Sequence, residues 1–258
     1  MIDYKIAIPS YKRPETIKGK TLKLLNEYNI DKNKITIFVA DKEEEILYKK
    51  SLGDEYKIVV GVHTLNGQRC YITNYYKEGT YLMQFDDDLE EVLVKVNDKK
   101  LDKLPDLEND FIIKGFEECK KNNAFLFGYY GAANPYFMQH RIYTKLSYVI
   151  GAAFGKIIQH DPFLCTETNH GEDYERSIRQ YVKNKNLVRF DYITFKSKYY
   201  KEDGGLQEIR TEKYIHDSIK WIQDKFPDYC TMYIRKSTGH AELRLKDKIK
   251  NRNQAKLF

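Results

Sequence analysis

No stretch of this 258-residue sequence approaches the roughly 20 consecutive apolar residues that a membrane helix requires, which excludes an integral helical membrane protein. Export signals are missing as well. Residues 1–10 enter a strand-like pattern at once, so no signal peptide is expected, and the chain is assigned to the cytoplasm, the host's if the source is viral. Only four cysteines occur, at positions 70, 119, 165 and 230, without the paired spacing of metal ligands. Free thiols in a reduced compartment are therefore expected. Internal repeats, low-complexity segments and a clean domain boundary are also lacking. What is abundant is Lys, Tyr, Asn and Ile, a composition that points weakly to an AT-rich genome such as a phage's.

The length suffices for one large α/β domain, or a domain with an appended module, around a well-buried core. The formal net charge is +6, and its placement says more than its size. Residues 207–258 hold twelve Lys/Arg against seven Asp/Glu, an excess of +5 in the last fifth of the chain. The end, 244–258, is a basic segment of helical character. A solvated tail and a polyanion-binding surface both fit it, and composition does not choose between them.

Strand-like runs at 5–9, 34–40, 56–60 and 80–85 alternate with helical patterns at 16–29, 43–50 and 68–77. Such alternation with short connections predicts a mostly parallel sheet flanked by helices. Ligands of such sheets bind outside the carboxyl ends of the strands. Pro9, Ser10, Asp41, Gly61 and the triplet Asp86, Asp87, Asp88 all fall at those ends. Beyond Glu90 the pattern changes. A charged, proline-interrupted connector is expected at 95–107, helices at 108–122, from 171 onward and at 212–225, and strands at 124–128, 146–154 and 187–195. A glycine loop at 198–207 and a last strand at 229–236 complete the expectation.

The most informative run is Tyr81-Leu-Met-Gln-Phe-Asp-Asp-Asp-Leu-Glu90, a buried strand that ends in three carboxylates. Alternate strand residues share a face, so Asp86 and Asp88 are expected to point together and Asp87 away. Two carboxylates held side by side repel each other unless a cation lies between them. Oxygen ligands of this kind suit Mg²⁺ or Mn²⁺, which also bind substrate phosphates. The competing explanation is a solvated acidic turn.

Taken together, Ile6-Ala-Ile-Pro-Ser-Tyr-Lys-Arg13, Asp41, Gln68-Arg69 and the triple Asp resemble a glycosyltransferase of the GT-A fold. The order of motifs is similar to that of the base J glucosyltransferase group and its phage relatives, which glycosylate hydroxymethylated pyrimidines in DNA. Pro9-Ser-Tyr-Lys-Arg-Pro-Glu15, Phe38-Val-Ala-Asp41, Asp86-Asp-Asp-Leu89, Gly171-Glu-Asp173 and Gly204-Gly-Leu-Gln207 with Arg210 carry this closer likeness. It covers 2–210 and leaves the basic tail outside. One departure is Cys70, where these enzymes commonly have Asn after the Gln-Arg pair.

The resemblance implies a nucleotide-sugar-binding α/β part (1–94), an acceptor-side part of the same GT-A domain (95–240) and a basic C-terminal segment (241–258). It implies Mn²⁺ or Mg²⁺ on Asp86 and Asp88, with His240 as a third ligand, and a UDP-sugar donor. Pro9, Ser10, Arg13, Asp41, Arg69, Asp86, Asp87, Gly204 and Gly205 would bind that donor. Either member of the pair Glu172 and Asp173 would deprotonate the acceptor, with Asp173 preferred and an inverting transfer expected. Helix-start acids favoured by the macrodipole are the competing account of that pair, and a helix cap is that of Asp41. The expected partner is double-stranded DNA carrying a hydroxymethylated pyrimidine, with hydroxymethylcytosine and hydroxymethyluracil both open. The alternatives are a GT-A enzyme with a carbohydrate, lipid or protein acceptor, a non-catalytic nucleic-acid-binding module, and a metal nuclease.

Overall fold

Four short apolar runs build the first half of the central sheet: β1 (Tyr4–Pro9), β2 (Ile35–Val39), β3 (Lys57–Val60) and β4 (Tyr81–Phe85). They lie parallel in the order β3-β2-β1-β4, as the alternation with helices requires. The computed structural model describes residues 2–197 and 211–248. All five residues of β2 are buried, because helices cover both faces of the sheet. Along β1, Tyr4, Ile6 and Ile8 face a core that includes Ile17, Leu24 and Tyr48, while Ala7 faces Phe38, Ile72 and Leu82. Helices α1 (Pro14–Gly19), α2 (Thr21–Glu27) and α3 (Lys42–Leu52) thus supply one side, and α4 (Leu65–Tyr75) the other.

The second half of the sheet is mixed. β5 (Leu89–Asn97) and β6 (Lys100–Lys103) leave it to form a three-stranded antiparallel sheet with β11 (Ile193–Ser197). β7 (Leu126–Tyr129), β8 (Ile142–Tyr143), β9 (Ala153–Ile157) and β10 (Val188–Phe190) continue the main sheet to eight strands, β3-β2-β1-β4-β9-β7-β10-β8. β9 runs antiparallel to both its neighbours, so its start lies at the same edge as the ends of β1 and β4. α5 (Lys114–Lys121), preceded by a π-helical turn at Glu108–Ile113, packs beside Phe127, and α6 (Glu172–Asn184) lies on the α4 side. α7 (Glu212–Lys225) and the hairpin of β12 (Cys230–Ile234) and β13 (Ala241–Leu245) close a second core on α6 through Ile178, Ile219, Ile222 and Leu243. Among the described residues, no helix is long and apolar enough to cross a membrane.

Several expectations change. The helix expected at 16–29 is two helices, broken at Lys20, whose φ of −120° and ψ of −90° are not helical. The connector expected at 95–107 is largely the β5–β6 hairpin, since its charges other than the buried Lys95 are mostly exposed and Pro105 follows β6. Of the strand expected at 146–154 only the end is one. Before it, backbone groups bond to side chains: Val149 N–H donates to Ser177 Oγ (3.0 Å), and Arg69 and Arg176 donate to the carbonyls of Gly151 and Val149 (both 3.2 Å). The expected strand at 187–195 is split by a turn at Asp191, which accepts from Arg141 and Arg189. β13 follows the strand expected to be last, so helical character does not begin at Arg244. Cys70 and Cys165 form a disulfide across 95 residues, with Cα atoms 5.4 Å apart, which corrects the expectation of free thiols at these two positions. Cys119 and Cys230 are free and buried. The glycine loop with Gly204, Gly205 and Arg210, and the tail at 249–258, lie outside the described residues.

Candidate active site at the carboxyl edge of the sheet

Because β1 to β4 are parallel, their carboxyl ends open on one edge, where a cavity of about 700 Å³ lies. Pro9, Ser10, Arg13, Arg69, Asp86, Asp87, Asp88, Glu172, Asp173 and His240, all singled out in the sequence, line it. Tyr11, His63, Tyr148, Tyr174, Arg235 and Glu242 complete much of the wall.

The acidic triplet is a turn between β4 and β5 and not a continuation of the strand. Thr21, the first residue of α2, holds it, donating to the Asp86 carbonyl (2.7 Å) and accepting from Leu89 N–H (2.9 Å). Strand alternation therefore stops at Phe85, and Asp87 does not turn away from the site. It is buried, accepts from Ser10 Oγ (2.6 Å) and lies 3.4 Å from the Arg13 guanidinium. Tyr48 in turn donates to Ser10 Oγ (2.5 Å). Burial pushes the Asp87 carboxyl up to about 6, against the pull of Ser10 and Arg13. Burial, with Asp86 and Asp87 alongside, pushes Asp88 up to about 7. Asp86 and Asp88 are oxygen donors of the kind a divalent cation suits, while Asp87 is engaged by Ser10 and Arg13. Among the described residues, no three His, Cys, Asp or Glu side chains are gathered as a metal cage, so His240 lines the cavity without joining a preformed site.

Arg69 is the hub of the cavity floor. Its guanidinium donates to Gln84 Oε1 (3.1 Å), Asp86 Oδ1 (2.8 Å) and the Gly151 carbonyl, and its Nε lies 3.0 Å from Glu172 Oε1. Burial opposes its charge, but Glu172 and Asp86 outweigh this and raise its pKa. Glu172 also accepts from Arg176 (2.6 Å). Burial works to protonate Glu172, yet Arg176 and Arg69 hold its carboxyl below the usual range. Glu172 is thus a buried structural anion that ties α6 to α4. Its neighbour differs. Asp173 Oδ2 accepts from the Tyr148 phenol and from Gly151 N–H (3.3 Å), while burial and then Glu172 raise its pKa. Tyr148 stacks on Tyr174 with ring centres 4.2 Å apart. Gly171, which precedes the pair, has φ +73°, a left-handed conformation that suits glycine at this helix entry.

Asp41 does not line the cavity. It caps α3 by accepting from Glu44 N–H (2.9 Å) and lies 3.3 Å from His63 Nε2, and His63 does line it. Gln68 is structural: it bridges the Val39 carbonyl (3.0 Å) and Val62 N–H (2.9 Å). A Cβ at Gly61 would meet the Gln68 Oε1 atom at 2.0 Å, so this sewing requires glycine. Sequence reasoning missed Thr21, Gln84, Tyr148 and Tyr174. Gln84 was open to detection as a lone polar residue within an apolar strand; the other three carry no local signal.

No protein-family model and no curated protein matches the chain. Solved structures do. GalNAc-T7 with UDP, GalNAc and Mn²⁺ is similar at 13% identity and a TM-score of 0.52, over 89% of this chain and 50% of that one. Glucosyl-3-phosphoglycerate synthase from Mycobacterium tuberculosis, in complex with Mn²⁺, UDP and glucosyl-3-phosphoglycerate, is similar at 7% and 0.51, over 95% and 88%. Mannosyl-3-phosphoglycerate synthase from Rubrobacter xylanophilus is similar at 10% and 0.51, over 94% and 84%. The chain spans half the length of the GalNAc-T7 chain. At these identities the likeness is one of fold, and the fold of this chain is that of the GT-A glycosyltransferases.

Proposed function

We propose that this chain is a metal-dependent glycosyltransferase that moves a sugar from a UDP-sugar to the hydroxyl of a hydroxymethylated pyrimidine in DNA. The observation that carries the transfer chemistry is the convergence of the acidic turn and Asp173 on one cavity at the carboxyl edge of a GT-A sheet. Solved structures of that fold hold UDP with Mn²⁺, which supports the donor and the metal. Asp86 and Asp88 would hold Mn²⁺ or Mg²⁺, with His240 as a third ligand. A cation there would neutralise the diphosphate leaving group.

The chain's own residues supply the rest. Pro9, Ser10, Arg13 and Asp87 frame the diphosphate side, and Asp41 acts at the rim through His63. Arg69 is fully engaged by the protein, so its part is to position Asp86 and Glu172 rather than to bind phosphate. Gly204 and Gly205 belong to the donor side by resemblance alone. Asp173 takes the acceptor proton. Its Oδ2 is oriented by Tyr148 and Gly151, and its raised pKa makes it a stronger base than an ordinary carboxylate, for a contribution of about 10²–10⁴-fold. The expected stereochemistry is inversion. The DNA acceptor rests on the motif resemblance and the basic C-terminal fifth. A neighbour crystallised with UDP-glucose and phosphoglyceric acid favours a second reading, a GT-A enzyme with a small-molecule acceptor.

Calorimetry with UDP in Mn²⁺ tests the donor site. Binding that is lost in chelator and weakened at least about tenfold in Asp88→Ala is expected. Absent binding, or binding indifferent to Asp88→Ala, contradicts the proposal.

A further inference from the structure

A second cavity, of about 290 Å³, shares Arg69 and Glu172 with the first as a common wall. Lys156 of β9, Arg69 of α4 and Arg176 of α6 converge on it from three elements, and His160, which lies 3.6 Å from a Glu78 carboxylate oxygen, also lines it. Only two carboxylates line it among the described residues, and both are taken. Glu172 is shared between Arg69 and Arg176, and Asp161 pairs with Lys183 (2.6 Å). Lys156 reaches no carboxylate among the described residues; its Nζ donates to Thr73 Oγ1, whose own proton goes to the Arg69 carbonyl (2.8 Å). The Nε atom of Arg176, on a side chain only 5% exposed, has no hydrogen-bond partner among the described residues. Arg176 stacks on Phe154 at 3.8 Å, a contact that tolerates its charge but offers no acceptor.

Buried cations are normally paired, and each one left uncompensated opposes folding. Burial, then Arg176 and Arg69, draws the Lys156 ammonium down to about 7. Among the described residues Glu172 is the one carboxylate that pairs with Arg176, none pairs with Lys156, and both side chains line an open volume. A guanidinium and an ammonium side by side match the oxygens of a tetrahedral anion. The volume lies at the lower end of small-molecule sites, which suits a small anion better than a nucleotide.

We propose that this second cavity is a binding site for phosphate, free or as a small phosphomonoester, with Lys156 and Arg176 as its donors. It is separate from the donor site proposed above and does not rest on that proposal.

Calorimetry of the full chain with inorganic phosphate, and in a parallel arm with glycerol 3-phosphate, tests this. The measurement is made on the wild type, Asp88→Asn and Lys156→Met, and on the wild type saturated with UDP and Mg²⁺. One site per chain is expected, unaffected by Asp88→Asn or by UDP, and weakened about tenfold or more in Lys156→Met through loss of a charge-assisted contact. Tighter binding of the ester identifies an ester as occupant; tighter binding of phosphate identifies the free anion. In phosphate-free buffer Lys156→Met is expected to melt no lower than the wild type, because it removes a half-buried ammonium that pairs with no carboxylate among the described residues. Absence of binding at millimolar phosphate overturns the proposal. So does displacement by UDP, unchanged affinity in Lys156→Met, or a lower melting temperature of that variant without phosphate.

Discussion

Glu172 and Asp173 are adjacent in sequence and opposite in circumstance. Glu172 accepts from two buried arginines and is held ionised, whereas Asp173 faces the cavity with its pKa raised by burial. Removing the charge of Glu172 leaves Arg176 without a carboxylate and Arg69 with Asp86 alone, so Glu172→Gln should cost about 3–5 kcal/mol of stability, measured by denaturant unfolding. Asp173→Asn should leave UDP binding intact while sugar transfer falls about 10²-fold or more. A stable Glu172→Gln protein without activity would move the base to Glu172. This division of labour was only partly legible in the sequence. The acidic pair could be read from Gly171-Glu-Asp173, but nothing local announces that Arg176, one turn further on, and Arg69, about a hundred residues earlier, close on the first acid. Arg69 shows the same limit. Its presence at the site could be read from the Gln-Arg motif, yet its saturation by four protein partners exists only once α4, β4 and α6 are packed.

The elements of the parallel half could be read because their information is local: an apolar run, a turn and an amphipathic helix, repeated from β1 to β4. The second half resisted for physical reasons. β5 and β6 carry a charged outer face that reads as a connector, and the segment before β9 gives its backbone groups to side chains of α4 and α6. The disulfide was equally invisible, since Cys70 and Cys165 are brought together only by packing of α4 against the segment leading into α6. That crosslink anchors the helix carrying Arg69. Closing a loop of 95 residues should contribute about 2–4 kcal/mol. Reduction, or Cys165→Ser, should lower the melting temperature by roughly 5–15 °C. Identical melting with and without reductant, together with four titratable thiols in the unfolded, unreduced protein, would show that the bond does not form.

At the scale of the whole molecule, the acidic turn and the acidic pair come from earlier parts of the chain, while the last fifth carries the positive excess and adds Arg235, His240 and Glu242 to the cavity wall. Lys246 and Lys248 are tied into the fold, their backbone N–H groups donating to the carbonyls of Tyr229 (2.8 Å) and Asp228 (2.9 Å). A deletion meant to remove only the tail should therefore begin at 249 and remove Lys250, Arg252 and Lys256. If these meet DNA phosphates, the slope of log affinity against log salt should flatten by about 2–3 in the truncated protein. An unchanged slope would make the tail a solvated end. The central claim, metal-dependent transfer of a sugar to a hydroxymethylated base, is tested most directly by nucleoside mass spectrometry. The protein is incubated with Mn²⁺, a panel of UDP-sugars, and duplexes with and without hydroxymethylated pyrimidines. The account predicts a nucleoside heavier by one sugar residue, only in the hydroxymethylated duplex, and lost in chelator and in Asp88→Ala. Transfer that persists in chelator, or an unmodified duplex product across the whole panel, would contradict it.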